Sequence, residues 1–280
     1  MAAQRLIECV PNFSEGRDPL VIADLAASIQ QTSGVRLLDH SVDADHHRSV
    51  FTFTGAPEDV VAAALAAAGV AVERIDLKRH TGVHPRIGAV DVVPFVPLSG
   101  VAMTECVDWS RNFAERLWEG LRVPVFLYEQ AAVNPDRQRL EEVRRLASAG
   151  AQSDIGEGRH PTAGACAVGA RGFLIAWNIW LETDDLALAK QIARAVRFSS
   201  GGFPGVKALG LPLRSMGIVQ VSINTTDFCA TPLEVVFRRV ESLARQAGVI
   251  VRGSELIGMI PEAALGHDLR WLNLTPQRIL

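Results

Sequence analysis

Apolar positions recur along the chain in short blocks whose period switches between two and about 3.6, so strands and helices alternate throughout. Residues 49–54, Ser-Val-Phe-Thr-Phe-Thr, alternate polar and apolar positions and predict a strand with one wet face. Residues 57–74 have apolar positions at helical spacing behind Pro57, with Glu58 and Asp59 in the first turn, where proline and acidic residues suit a helix start. The same pattern predicts strands over 7–10, 35–38, 89–96, 123–128, 165–168, 173–181 and 249–252. It predicts helices over 19–31, 104–120, 135–149, 184–197 and 232–247. Two alternating runs, 206–213 and 218–224, read as an antiparallel pair, and Trp177 and Trp180 as core or sheet-face residues. Hairpins mixed with crossover helices imply an α+β sandwich over a mixed sheet. A boundary near 169–172 divides the chain into expected subdomains 1–170 and 171–280.

Composition narrows the classes. The 280 residues are 48% hydrophobic and 21% charged, a globular balance. The net charge of −3 comes with no basic block, which argues against a nucleic-acid partner. No apolar run is long enough to span a bilayer; 60–72 comes nearest but is short and Ala-rich. Glu8 falls where a signal peptide would need its apolar core. Cys9, Cys106, Cys166 and Cys229 are far apart in apolar surroundings and are expected to be buried, reduced thiols. Together these predict a cytoplasmic protein with no membrane partner.

Three segments concentrate polar chemistry. Residues 78–95 hold Lys78, Arg79, His80, His84 and Arg86 ahead of an apolar strand. The spacing of His80 and His84 is that of a zinc-binding helix, but Gly82 and Pro85 disfavour a helix there. An imidazole on such a loop suits proton transfer, because its reference pKa of about 6.5 lies near working pH. A surface loop with incidental histidines is the competing reading. Residues 39–48 contain Asp39, Asp43, Asp45, His40, His46, His47 and Arg48. That set makes either a metal site or a polar loop whose Arg48 clamps a carboxylate. Residues 156–164 combine Gly156, Gly158 and Gly164, which allow close backbone approach, with the donors Arg159 and His160. They lack the Lys-Ser/Thr ending of a phosphate-binding loop. Residues 14–16 and 199–202 read as simple turns.

Taken in order, several motifs resemble the formiminotransferase domain family. They are Glu8-Cys-Val-Pro-Asn-Phe-Ser-Glu-Gly16, Asp45-His-His-Arg-Ser-Val-Phe-Thr-Phe53 and Arg79-His-Thr-Gly-Val-His-Pro-Arg-Ile-Gly-Ala-Val-Asp-Val-Val-Pro-Phe95. His160-Pro-Thr-Ala-Gly-Ala-Cys-Ala-Val-Gly-Ala-Arg171, Val206-Lys-Ala-Leu-Gly-Leu211 and Gly253-Ser-Glu-Leu-Ile-Gly258 follow. The resemblance covers nearly the whole chain. It implies two ferredoxin-like-type α/β sandwich subdomains, with mixed sheets packed together, helices outside and a ligand groove between them, and a homodimer. It implies transfer of a formimino group between N-formimino-L-glutamate and tetrahydrofolate, with no metal. His84 is the implied general acid–base, with Asp39 or His80 setting its orientation. Arg48, Arg86 and Arg159 would hold substrate carboxylates, His46 would line the site, and Gly156, His160, Thr162, Ala163 and Gly164 would face the folate. Residues 153–157, Ser-Asp-Ile-Gly-Glu, depart from the usual Pro-Asp-Phe-Gly-Pro. The preceding stretch is shorter than usual, and His47 stands where Asn is common. The chain ends at Leu280 without a following helical domain, so no cyclodeaminase activity is expected. Two other readings compete: a metal-dependent amidohydrolase using Asp43, Asp45, His46, His84 and His160, and a catalytically silent folate-binding module.

Overall fold

In the computed structural model, residues 4–81, 85–266, 270–272, 274 and 276–280 are described. They belong to two units, Met1–Gly172 and Phe173–Leu280. The first unit starts with β1 (Leu6–Cys9) and β2 (Asn12–Phe13), which lie end to end between the same two neighbours. The break between them contains Pro11, which has no N–H to give to a ladder. The sequence reading ended this strand at Pro11; the structure resumes it one residue later. α1 (Pro19–Gln30) follows, its first turn capped by Asp18, which accepts from the N–H of Leu20 and Val21.

β3 (Val35–Asp43) and β4 (Arg48–Gly55) then form a hairpin, and α2 (Pro57–Arg74) leads to β5 (Val90–Ser99). These elements make a β-α-β-β-α-β unit with spatial order β3, β4, β1/β2, β5. α3 (Met103–Leu121), β6 (Val125–Glu129), α4 (Leu140–Ser148) and β7 (Cys166–Ala170) extend it. β7 and β6 add in parallel beyond β5, so this sheet is mixed.

Alternation along the strands sends one set of side chains to each face. Phe13, Phe51, Phe53, Val93, Phe95 and Val168 pack with α1, α2 and α3 in the main core. At the β5-β7-β6 end, Val92, Phe126, Tyr128, Ala165 and Ala167 pack instead with Val143 and Ala147 of α4. The alanines of α2 keep its buried stripe thin, letting it lie against both α1 and α3.

The second unit repeats the β-α-β-β-α-β order: β8 (Ile175–Leu181), α5 (Leu186–Val196), β9 (Val206–Leu213), β10 (Ile218–Thr225), α6 (Leu233–Gln246) and β11 (Val251–Ile257). Its sheet has the order β11, β8, β10, β9 and every described pairing is antiparallel, where a mixed sheet was expected. Trp177, Ile179, Val219 and Val221 pack with Ile192, Val236, Phe237 and Val240 in its own core.

Three further expectations change. Residues 39–43, expected as loop, continue β3 because they pair along β4 as far as Asp43 and Arg48. The helix expected over 135–149 is a short turn, Pro135–Arg137, followed by α4; Arg139 between them is extended, at φ −96° and ψ 128°, and Gln138 O accepts the Glu129 N–H of β6 at 3.0 Å instead of a helical one. Cys9, Cys106 and Cys166 are buried as expected, but Cys229 is exposed. Among the described residues, no helix is long and apolar enough to cross a membrane.

Candidate active site

Four of the polar motifs meet within the first unit through backbone contacts. The Ser14 N–H donates to Ala89 O at 2.9 Å and its hydroxyl to Gly88 O at 2.7 Å. Residues 160–165 lie along the other side of the same segment: Leu77 N–H donates to Thr162 O, Ala89 N–H to Ala163 O and Ala165 N–H to Ile87 O, at 2.9, 2.9 and 3.0 Å. Gly88 permits this, since a Cβ there would sit 1.8 Å from Ala165 O. Gly16 plays the same part toward the β3–β4 turn, where a Cβ would lie 2.3 Å from Asp43 O.

The β3–β4 turn is itself built by its polar side chains. Asp43 Oδ1 accepts the His46 N–H at 2.8 Å, and its other oxygen pairs with His46 Nδ1. Burial raises the Asp43 pKa, but these His46 contacts outweigh it and hold the carboxyl below its ordinary value. His46 is buried, and His47 takes a left-handed conformation with φ 50°. Arg86 reaches across to this turn: one guanidinium nitrogen donates to His47 O at 3.0 Å, the other to His46 O at 2.8 Å.

Arg86 also lies 2.6 Å from His80 Nε2. A guanidinium can only donate, so Nε2 accepts there and its 3.1 Å approach to His47 O is not a hydrogen bond. His80 is pushed down to about 4, first by burial and then by the charges of Arg86 and His47, so it is neutral at working pH. Its Nδ1 is buried and has no hydrogen-bond partner among the described residues.

Beside this lies a cluster of three guanidiniums and one carboxylate. Asp91, 1% exposed, takes the Ile87 N–H at 2.7 Å and the Arg144 guanidinium at 2.6 Å. Arg48 is pushed down to about 10 by burial and by the charges of Arg144 and Arg86, with Asp91 and Asp43 pulling the other way. Arg86 is lowered too, chiefly by burial. These three cations outnumber the one buried carboxylate among them, a field suited to an acidic ligand.

The loop of residues 153–164 is pinned at both ends. Asp154 accepts the Leu127 N–H at 2.8 Å and the Arg137 guanidinium at 2.5 Å. Gly156 packs against Trp118, so its bare backbone is used for helix contact. The His160 Nδ1 accepts the Ala163 N–H at 2.9 Å and fixes the turn His160–Gly164, while Arg159 is exposed.

The structure thus brings His46, Arg48, His80 and Arg86 together, with the turn of His160, Thr162, Ala163 and Gly164 bonded to the backbone on either side of them. Asp39 pairs with Thr52, about 13 Å along β3 from the Asp43–Arg48 pair at strand rise. His84 lies outside the described residues. Glu15, Asp91 and Arg144 belong to the cluster or its frame and were not among the sequence-derived candidates. Glu15 and Asp91 stand inside the first and third of the family motifs but were given no role there, and Arg144, a lone arginine on a charged helix, reads as surface. Of the groups an amidohydrolase site would use, Asp43 and His46 are bonded to each other and His160 Nδ1 is occupied by backbone. Among the described residues no three His, Cys, Asp or Glu side chains form a metal-holding group.

Comparison with known proteins adds an independent line. Residues 6–171 match the formiminotransferase domain, N-terminal subdomain, and residues 176–271 match the formiminotransferase domain. A glutamate formimidoyltransferase from Streptococcus pyogenes serotype M1 is 43% identical over 93% of this chain and 91% of its own. One from Thermoplasma acidophilum is 40% identical over 93% and 89%. The formimidoyltransferase-cyclodeaminase of Rattus norvegicus is 40% identical over 93% of this chain, which spans only 51% of that longer protein. With both subdomains matched and this identity along its length, the chain belongs to the formiminotransferase domain family.

Proposed function

We propose that this chain is a transferase that moves a formimino group between N-formimino-L-glutamate and tetrahydrofolate, and that the centre is the cluster in the first unit. The activity named for its relatives, glutamate formimidoyltransferase, supports the group transferred and its glutamate partner. The observation that carries the site is the gathering of three guanidiniums around the buried Asp91, with Arg144 bonded to it and Arg48 and Arg86 within reach of its charge, at the edge of the segment that runs from His80 to Arg86. Arg48 and Arg144 face the carboxylate of the acidic substrate, and Arg86 holds the frame. The turn at residues 160–164 is on the folate side, while Gly156 serves the packing of its loop on Trp118. The protein acts as a homodimer in the cytoplasm.

The chemistry needs one proton carrier. N5 of tetrahydrofolate attacks the amidine carbon, giving a tetrahedral intermediate. N5 then loses a proton, the glutamate nitrogen gains one, and the carbon–nitrogen bond to glutamate breaks. His84, within the segment bounded by His80 and Arg86, is the residue assigned to this shuttle. His80, neutral and held by Arg86, cannot take that role while its Nε2 accepts from a guanidinium. The test is formation of 5-formiminotetrahydrofolate followed by absorbance. His84→Ala should lower turnover by about two to four orders of magnitude while the melting curve and folate binding hold. Absence of transfer by the unaltered protein removes the function; near-normal turnover by folded His84→Ala removes the residue.

A further inference from the structure

His47 lies between two acceptors. Its Nε2 is 3.0 Å from Glu15 Oε1 and its Nδ1 is 3.0 Å from Thr81 O. Neither oxygen carries a proton to give, so the ring satisfies both only with a hydrogen on each nitrogen. Its face stacks on His80, with centroids 3.8 Å apart and planes at 20°. Its carbonyl is held by Arg86. The left-handed backbone at φ 50° turns the ring toward these partners, a conformation that His and Asn adopt more readily than most residues.

Glu15 is equally fixed. Its Oε1 accepts the N–H groups of Gly16, Arg17 and Asp18 at 2.8, 2.7 and 3.0 Å. Burial opposes its charge, but those backbone donors and His47 outweigh it and keep the carboxyl below its usual pKa. Both side chains are 12% exposed. A continuous chain therefore runs from the turn after β2, through the ring of His47, to the carbonyl of Thr81, three residues before His84.

We propose that Glu15 and His47 are a positioning pair that fixes the backbone entering the acid–base segment. This rests on the reading of His84 as the proton carrier, and neither residue touches the reacting atoms. Their effect belongs in turnover, because a misplacement of about 1 Å at a reacting group costs up to roughly a hundredfold in rate.

Three variants test it: Glu15→Gln, His47→Asn and the double substitution. Glu15→Gln keeps an oxygen for the three backbone N–H groups and loses the charge facing His47. His47→Asn suits positive φ but loses the ring that spans Glu15 and Thr81. Hydrogen exchange at residues 44–48 and 76–81 should quicken about tenfold in each variant, with the rest of the chain unchanged. Turnover should fall about tenfold with both Michaelis constants within about twofold, and the double variant should be no worse than the poorer single one. Unaltered exchange overturns the proposal, as do faster exchange at full turnover or losses that multiply in the double variant. If the unaltered protein transfers no formimino group, the proposed function falls, and faster exchange at 76–81 still upholds the pair as the fixture of that segment.

Discussion

Arg48 and Arg86 differ in what they hold, though the sequence assigns both to substrate carboxylates. Arg86 uses both ends of its fork on the backbone of the β3–β4 turn, so its part is structural to the site. Arg48 lies deeper, beside Arg144 and Asp91, and is the better candidate for the substrate carboxylate. Arg48→Gln should raise the Michaelis constant for N-formimino-L-glutamate by about 10- to 100-fold, the value of one charge-assisted hydrogen bond, with turnover changed less. An unchanged constant would take Arg48 out of the substrate contact. Glu8 carries a second residue-level consequence. It is 4% exposed, and burial raises its pKa from 4.5 to about 7, with the charge of Arg171 partly offsetting. A carboxyl whose folded pKa is raised stabilises fully below its unfolded value, and that stability is lost as pH rises through the folded one. Unfolding free energy should therefore fall between about pH 4.5 and 7 by on the order of 3 kcal/mol from this group alone. Glu8→Gln should flatten that part of the curve, as measured by denaturant melts at pH 5 and 8; a parallel pH trend in the variant would refute the assignment.

At the scale of elements, periodicity served well wherever one face of a segment is buried. α2, β4 and the β9–β10 hairpin follow the apolar pattern because burial of one stripe or face enforces it. It served badly where hydrogen bonding decides. β3 continues through Asp39-His-Ser-Val-Asp43, a stretch whose polarity reads as loop, because β4 supplies its ladder partners. The fourth helix is split where Arg139 turns extended and Gln138 O bonds the Glu129 N–H of β6, a tertiary bond that no apolar pattern records. The candidate site was legible in part for a related reason. His46, Arg48, His80 and Arg86 stand in dense polar runs, whereas Glu15, Asp91 and Arg144 are single charges that only tertiary contact brings to the cluster or its frame. Gly88 shows what the element contacts demand. Its Cα faces Ala165 O so closely that Gly88→Ala must separate β5 from the residues leading into β7, breaking the Ala165 N–H to Ile87 O bond. A loss of about 3 kcal/mol or more is expected, at the high end for single substitutions. A melt of Gly88→Ala within experimental error of the unaltered protein would show that the two segments do not need this contact.

At the scale of the molecule, the same β-α-β-β-α-β order occurs in both units, each around its own apolar core. No short-period sequence repeat announces this, since the pattern of strands and helices is shared and the residues are not. The first unit adds α3, β6, α4 and β7, and those additions bring Arg144 and residues 153–164 to the site. Ligand binding to a site assembled from so many separate segments must stabilise the fold that assembles them. Tetrahydrofolate at 100 times its dissociation constant adds about 2.7 kcal/mol by mass action. For a chain of this size that corresponds to a rise of roughly 5–10 °C in melting temperature at 2–4 °C per kcal/mol. The same shift is expected with 5-formyltetrahydrofolate, which keeps the pterin and the glutamate tail but carries a formyl group on N5 and so cannot accept the formimino group. In Arg48→Gln the folate-induced rise should persist while any rise given by N-formimino-L-glutamate shrinks, because the two ligands meet different parts of the cluster. If millimolar folates leave the melting curve unmoved in the unaltered protein, folate is not its ligand. If Arg48→Gln abolishes the folate shift and spares the other, the two substrate positions are reversed.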